Sequence, residues 1–369
     1  MRASEIWDVT KGEGTTVAVI DSGVDPISSL KGRLLPGKSF VPEKEVHSDP
    51  TGHGTTMASL IAGSGTENSL QGLAPDAKVL PLRVSDGKFS YGPTWATRLT
   101  DAIRYASASD ARVINISMGM SGLDRSAVTK LQKAIDEANE RGKLIFAAVG
   151  NDGRRIDGTD YPSVLPGVVA VGAVNEKATV TDLSNYGPHL VLSAPGDPGG
   201  TSQATALASA TAALIWSKHP DWTNHQVLRV MIETTGMSER GEKPSMYLGH
   251  GIIRPSKVIV DGQGDPGPAD KSPVFSKYFA SLEASGSPSP GSDSGSGDDS
   301  RTDGRNQGSE KEAPSGPDSD RSQNAAQADD DNTTLWVTGG IAAAVLVVIA
   351  ATIAVIAVRR RDRERQPRY

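Results

Sequence analysis

Four polar residues of this chain stand at the ends of apolar runs or the starts of helical ones. Asp21 closes the apolar run VAVID. His53 lies between Gly52 and Gly54 at the start of a helical pattern. Asn151 comes just after the apolar run FAAVG. Ser202 follows Gly-Gly-Thr at the head of a run of Ala, Leu and Thr. Each has a plain structural explanation: a turn acid, a structural histidine, a turn asparagine, an N-cap serine. As a set they suit nucleophilic acyl transfer. A serine needs a base to take its proton, and the base needs an acid to hold its tautomer. The developing oxyanion needs hydrogen-bond donors. Asp21, His53, Ser202 and Asn151 supply acid, base, nucleophile and donor, and the helix behind Ser202 adds backbone N–H groups and a favourable dipole.

Elements that could position these residues are legible. The apolar runs at 15–20, 77–84, 112–118, 143–150 and 167–174 read as buried parallel strands. Amphipathic patterns at 94–109 and 126–142 read as helices, the second with Val128, Leu131, Ile135 and Ala138 on one face and a glycine stop. This alternation predicts an α/β, doubly wound, mostly parallel sheet with helices on both faces. In such folds the chemistry gathers at the carboxyl ends of the strands.

The motifs VIDSGVD, GHGT and GTS, with GLAPDAKVLPLRV, RVINISMG, FAAVGNDG, YPSVLPGVVAVGAV and LSNYGPHLVLSAPG, stand in one order over residues 1 to about 260. In this the head resembles the subtilisin-like serine peptidases, the subtilases, whose catalytic residues also run Asp, His, Ser along the chain. The resemblance implies a triad of Asp21, His53 and Ser202 with Asn151 in the oxyanion hole. It also implies that Ser117, Met118 and Gly119 pair with the substrate backbone, and that Ala148, Val149 and Gly150 line the opposite wall of the first specificity pocket. With its C-terminal organisation the chain looks most like the mycosins, membrane-anchored bacterial subtilases several of which are associated with type VII secretion. That implies protein or peptide substrates and secretion-system partners.

The chain departs from the family in two places. Ala206 and Ala210 stand where the family has Pro and often Gly after the nucleophile, and only Asp197, Pro198 and Gly199 separate SAPG from GTS. Alanine is an excellent helix former, so a local adjustment is expected and not a broken site. The altered run keeps a rival open: the same fold as an inactive pseudoprotease, serving as an anchored binding or scaffolding module.

Composition narrows the choices further. The chain has 369 residues, 44 acidic against 38 basic side chains, and no cysteine. Its slightly acidic balance argues against a nucleic-acid surface, which needs clustered positive charge, and it offers no thiol nucleophile, disulfide or zinc–thiolate site. No metal site and no cofactor is expected: subtilases often bind structural calcium, but no D-x-D-x-D loop signals one here.

The expected organisation is a peptidase domain at 1–262, a disordered acidic Ser/Gly/Pro linker at 263–334, a transmembrane helix at 335–358 and a basic tail at 359–369. Residues 281–334 hold twelve acids, four bases and no aromatic residue, too little apolar surface to offset ordering entropy. The 24 uncharged residues 335–358 would make a helix of about 36 Å, enough for one bilayer crossing. The tail has six arginines against two acids, which places it in the cytoplasm and the head outside. No signal peptide precedes the first strand, so the natural start is expected upstream; otherwise the protein would be tail-anchored with its head in the cytoplasm.

Overall fold

The computed structural model describes residues 1–87, 92–153, 160–236 and 244–286, all within one compact unit spanning Met1–Ser292. The strands are β1 (Thr16–Asp21), β2 (Lys38–Ser39), β3 (Lys78–Arg83), β4 (Val113–Ile116), β5 (Leu144–Ala148), β6 (Val168–Val174) and β7 (Leu190–Pro195). They form one sheet in the order β2-β3-β1-β4-β5-β6-β7, every pair parallel. The helices are α1 (Ala3–Trp7), α2 (His53–Ala62), α3 (Pro93–Ala108), α4 (Arg125–Glu140), α5 (Gly200–Lys218), α6 (Asn224–Glu233), α7 (Pro255–Ile259) and α8 (Ser276–Gly286).

The strand period of two explains why the runs are apolar throughout. Val17, Val19, Val79, Val113, Phe146 and Val171 pack on one side with α2, α5 and α6. Ala18, Ile20, Leu82, Ile114, Ile116 and Ile145 pack on the other with α3 and α4. Both faces are covered, so neither can be polar. Local chemistry sets the helix starts. The Asp124 carboxylate accepts from Ala127 N at 2.8 Å ahead of α4, and Thr223 and Gln226 form a capping box at α6.

The five strands and two helices expected from the sequence are present with ends shifted by a few residues at most. β7 and the two-residue β2 were not expected. β7 offers only three strongly apolar residues before Ser-Ala-Pro, and β2 is too short to show a period.

The ordered head runs past residue 262, where the linker was expected to begin. Ser272 is buried, Val274 and Phe275 pack against the main core, and the Tyr278 hydroxyl donates to Asp136 Oδ1 on α4 at 2.9 Å. A few aromatic and apolar side chains in a Gly/Pro/Asp-rich stretch are enough to dock it. The remainder of the expected linker, the apolar run 335–358 and the basic tail lie outside the described residues. Among the described residues no helix is long and apolar enough to cross a membrane.

The order of strands reverses beside β1, since β3 flanks it on one side and β4 on the other. The crevice at the carboxyl ends near this switch is where the polar residues converge.

Candidate active site

Asp21 is the last residue of β1 and is fully buried. His53 opens α2, and its Nδ1 lies 2.8 Å from Asp21 Oδ1. The same oxygen accepts from Ser22 N at 2.8 Å, while Asp21 Oδ2 is buried without a hydrogen-bond partner. Burial pushes the His53 pKa down. The charge of Asp21, its hydrogen bond and the charge of Asp49 more than offset this, so the value is raised above that of an ordinary imidazole. Fixing Nδ1 on the carboxylate leaves Nε2 as the basic nitrogen.

Ser202 lies in the first turn of α5 and is 8% exposed. Its hydroxyl donates to the carbonyl of Ser117 at 2.9 Å, and the Ser117 hydroxyl donates back to the Ser202 carbonyl at 3.0 Å. Ser202 thus rests on the strand end and makes no hydrogen bond to His53. Both nevertheless line one cleft, together with Asp21 and Asn151. α5 runs without a break through Ala206 and Ala210, both fully buried, as expected of alanine at those positions.

Asn151 follows β5. Its Oδ1 accepts from Thr201 N at 2.9 Å and from Thr201 Oγ1 at 3.1 Å, which leaves the amide Nδ2 as the donor group of a residue that lines the same cleft as Ser202. This packing needs a glycine at 200, where φ is +67° and an added Cβ would stand 2.6 Å from Asn151 Oδ1. Met118, Gly119, Ala148 and Gly150 line the cleft. Val149 does not. It is fully buried against Ala170 and Leu190, because alternation along the strand turns its side chain away from the cleft. Ser117 lines the cleft but is nearly buried, its hydroxyl and carbonyl both engaged by Ser202.

Several supporting residues were not singled out from the sequence. Asp49 is buried, and its Oδ1 accepts from Thr51 N, Thr51 Oγ1, Gly52 N and Ser22 Oγ, while Oδ2 accepts from Thr55 N and Thr55 Oγ1 at 2.8 Å each. It therefore takes the Thr55 N–H in the first turn of α2 and the N–H of Gly52 just before it, and so braces the loop that leads into His53. These bonds hold its carboxyl below the usual carboxylate range against the opposing effect of burial. Ser22 Oγ lies 2.7 Å from Asp49 Oδ1 and 3.1 Å from Asp21 Oδ1, with one proton to give between them. Arg83, buried and paired in register with Asp21, donates to the carbonyls of Glu45 and Ser48 and so ties down the same loop. Below Ser202, Ser209 Oγ donates to Asn115 Oδ1 and Asn115 Nδ2 to Ser117 Oγ, both at 3.0 Å. The signal that could have found Asp49 is its place four residues before His53, with threonines at 51 and 55 able to donate to it.

The subtilase family model matches residues 12–251. The chain belongs to the subtilase family. Among curated subtilase relatives, a thermostable alkaline protease of Halalkalibacterium halodurans is 31% identical over 260 residues, covering 67% of this chain and 68% of that protein. Among solved structures, MycP1 from Mycobacterium smegmatis superposes with a TM-score of 0.64 at 26% identity, over 73% of this chain and 84% of that one. The MycP3 protease from the type VII (ESX-3) secretion system gives 0.62 at 28%, over 70% and 85%. This subtilase is thus a serine peptidase by family, with mycosins among its structural neighbours. Among its described residues no group of three or more histidines and acids is placed to hold a metal ion.

Proposed function

We propose that the chain is a serine endopeptidase in which Ser202 attacks the scissile carbonyl, His53 moves the proton, Asp21 orients His53, and Asn151 with the Ser202 backbone N–H holds the oxyanion. The observation that carries this reading is the 2.8 Å contact between His53 Nδ1 and Asp21 Oδ1 at the edge of a cleft that Ser202 and Asn151 also line. Rotation of the Ser202 hydroxyl from Ser117 O to His53 Nε2 starts the reaction and frees the Ser117 carbonyl to accept a substrate N–H. The Oγ–C bond forms as the proton passes to Nε2. The C–N bond then breaks, and the leaving amine takes that proton. Water repeats the sequence on the acyl-enzyme, giving its proton to His53 and restoring Ser202.

The position of the tail arginines and the mycosin likeness support a second part of the proposal. The head acts outside the membrane on secreted or surface proteins, held by the apolar run 335–358, in the company of secretion-system components. The resting hydroxyl on Ser117 favours one alternative, an anchored binding module in which Ser202 never leaves that carbonyl.

A fluorophosphonate probe on the full chain separates the two readings. The wild type is expected to label at Ser202 and hydrolyse peptides. Ser202→Ala is expected to do neither and to lose about six orders of magnitude in kcat, as when a triad acting as a unit loses its nucleophile. A wild type that does not label, or a Ser202→Ala variant that retains hydrolysis, overturns the assignment.

A further inference from the structure

One row of the sheet contains a residue that does not match its neighbours. Val19, Asn115 and Phe146 are register partners on β1, β4 and β5, and only Asn115 is polar. Val19 and Phe146 pack on the side that α5 covers, as does Val113, two residues before Asn115 on the same strand. Asn115 is fully buried. So is Ser209 on α5, whose Oγ donates to Asn115 Oδ1 at 3.0 Å. Ser209 stands two helical turns beyond Ser202, on the same face of α5. An apolar residue at 115 would fill this row without the cost of burying an amide. A residue that breaks the pattern of its own row points to a task.

The bonds through Asn115 run one way only. The Ser202 carbonyl can only accept, so the Ser117 hydroxyl gives its single proton to it, at 3.0 Å. Ser117 Oγ must then accept from Asn115, and only the amide Nδ2, 3.0 Å away, can donate. Asn115 Oδ1 is left facing Ser209, whose hydroxyl gives its proton there. With the amide turned over, an oxygen would face Ser117 Oγ and draw its proton away from Ser202.

We infer that Asn115 is a positioning residue for Ser202. The inference rests on the peptidase reading above and adds to it a residue that serves the chemistry without touching substrate. At rest two bonds tie Ser202 to the end of β4: its hydroxyl on Ser117 O, and the Ser117 hydroxyl on its own carbonyl. The reaction breaks the first, because the Ser202 hydroxyl turns to His53 Nε2. The second remains, and it lasts as long as Asn115 Nδ2 keeps the Ser117 proton pointed at Ser202. The Ser202 main chain then stays in place while its side chain moves, and its N–H stays where the oxyanion forms. This demand falls on the transition state, so kcat depends on Asn115 and KM changes little.

The test uses the full chain, with active sites counted by fluorophosphonate labelling carried to completion and folding followed by a thermal scan. Asn115→Leu keeps the shape of the side chain and removes both polar atoms. It is expected to lower kcat per labelled site by about 10- to 100-fold, the size of a small misplacement of reacting groups, with KM within about threefold. Ser117→Ala removes the hydroxyl and keeps the carbonyl, and a similar loss is expected. The double variant should be no slower than the slower single one, because both changes break one link; independent losses would multiply. A residue that only stabilises the fold lowers Tm and the number of labelled sites, leaves kcat per site near that of the wild type and shows no such coupling to Ser117. Should Asn115→Leu fail to fold, Ser209→Ala takes its place in the cycle, with an expected loss in kcat of about three- to tenfold, the size of one neutral hydrogen bond. A kcat per site within about twofold of wild type, or losses that multiply in the double variant, overturns the positioning role while a labelled wild type keeps the peptidase reading. A wild type that does not label removes both.

Discussion

Gly200→Ala tests the oxyanion arrangement without touching any reacting atom. The new Cβ would stand 2.6 Å from Asn151 Oδ1 and 3.0 Å from its Nδ2, where ordinary contacts start near 3.4 Å. To make room, Asn151 must retreat by roughly 0.5–0.8 Å, or residues 199–201 must shift and take Ser202 with them. A misplacement of this order costs about 10- to 100-fold in rate, because the donor must meet charge that exists only in the transition state. KM should stay within about threefold, since the ground-state substrate does not use this contact. The left-handed φ of +67° adds a separate cost of about 1–2 kcal/mol to folding. For a domain of this size that lowers Tm by about 2–8 °C. The two effects separate if steady-state kinetics are measured well below the melting range and referred to folded protein by a thermal scan. A variant whose kcat stays within twofold of wild type would show that Asn151 is not the oxyanion donor, or that the 199–201 turn yields freely, and the geometry described above would not govern the rate.

Two further predictions follow from the surroundings of His53 and from the tail. Asp49→Asn removes a negative charge that helps raise the His53 pKa. A general base works only when neutral, so kcat/KM rises as pH passes upward through that pKa. The variant's acid limb should therefore lie at lower pH than the wild type's, and a limb that is unchanged or moves to higher pH refutes the coupling. Shaving intact, wall-stripped cells with an external protease should remove the head while an epitope at the C-terminus stays protected; a head that is digested only after permeabilisation refutes the outward orientation.

The sheet was legible because both of its faces are covered, so its inner strands had to be apolar at every position, and such runs stand out in a chain with this much Gly, Pro and Asp. Asp21, His53, Asn151 and Ser202 stood out as a set and not singly: each alone could be a turn or cap residue, but together they are the types acyl transfer needs, and the fold brings all four to one cleft. Asp49 was not legible. It is an acid in a polar loop, and only its tertiary neighbours distinguish it, the N–H groups of Gly52 and Thr55 at the start of α2. Val149 was placed in the cleft wall because the family resemblance implied it for the whole run before Asn151, although alternation sends its side chain to the opposite side. The end of the head was set too early because four aromatic or aliphatic side chains, Val274, Phe275, Tyr278 and Phe279, were outweighed by the polar composition around them.

Fifteen of the nineteen residues of α5 are buried, and the sequence wraps it in alanine on almost every side. Its first half is smooth, whereas Leu214, Ile215 and Trp216 fill out the far end. Turned about its axis by one residue, roughly 100°, the half that carries Ser202 would still present mostly small groups to the sheet. Packing there gives it a place but only a weak angular address. A firm address comes from a few polar contacts that the smooth surface cannot imitate: Ser209 on Asn115, the reciprocal pair of Ser117 and Ser202, and Thr201 on Asn151. They act as the teeth of a key, adding little to the hold of the helix in its socket and deciding which way it is turned. The hydroxyl at position 202 faces the cleft because these teeth engage at one angle only.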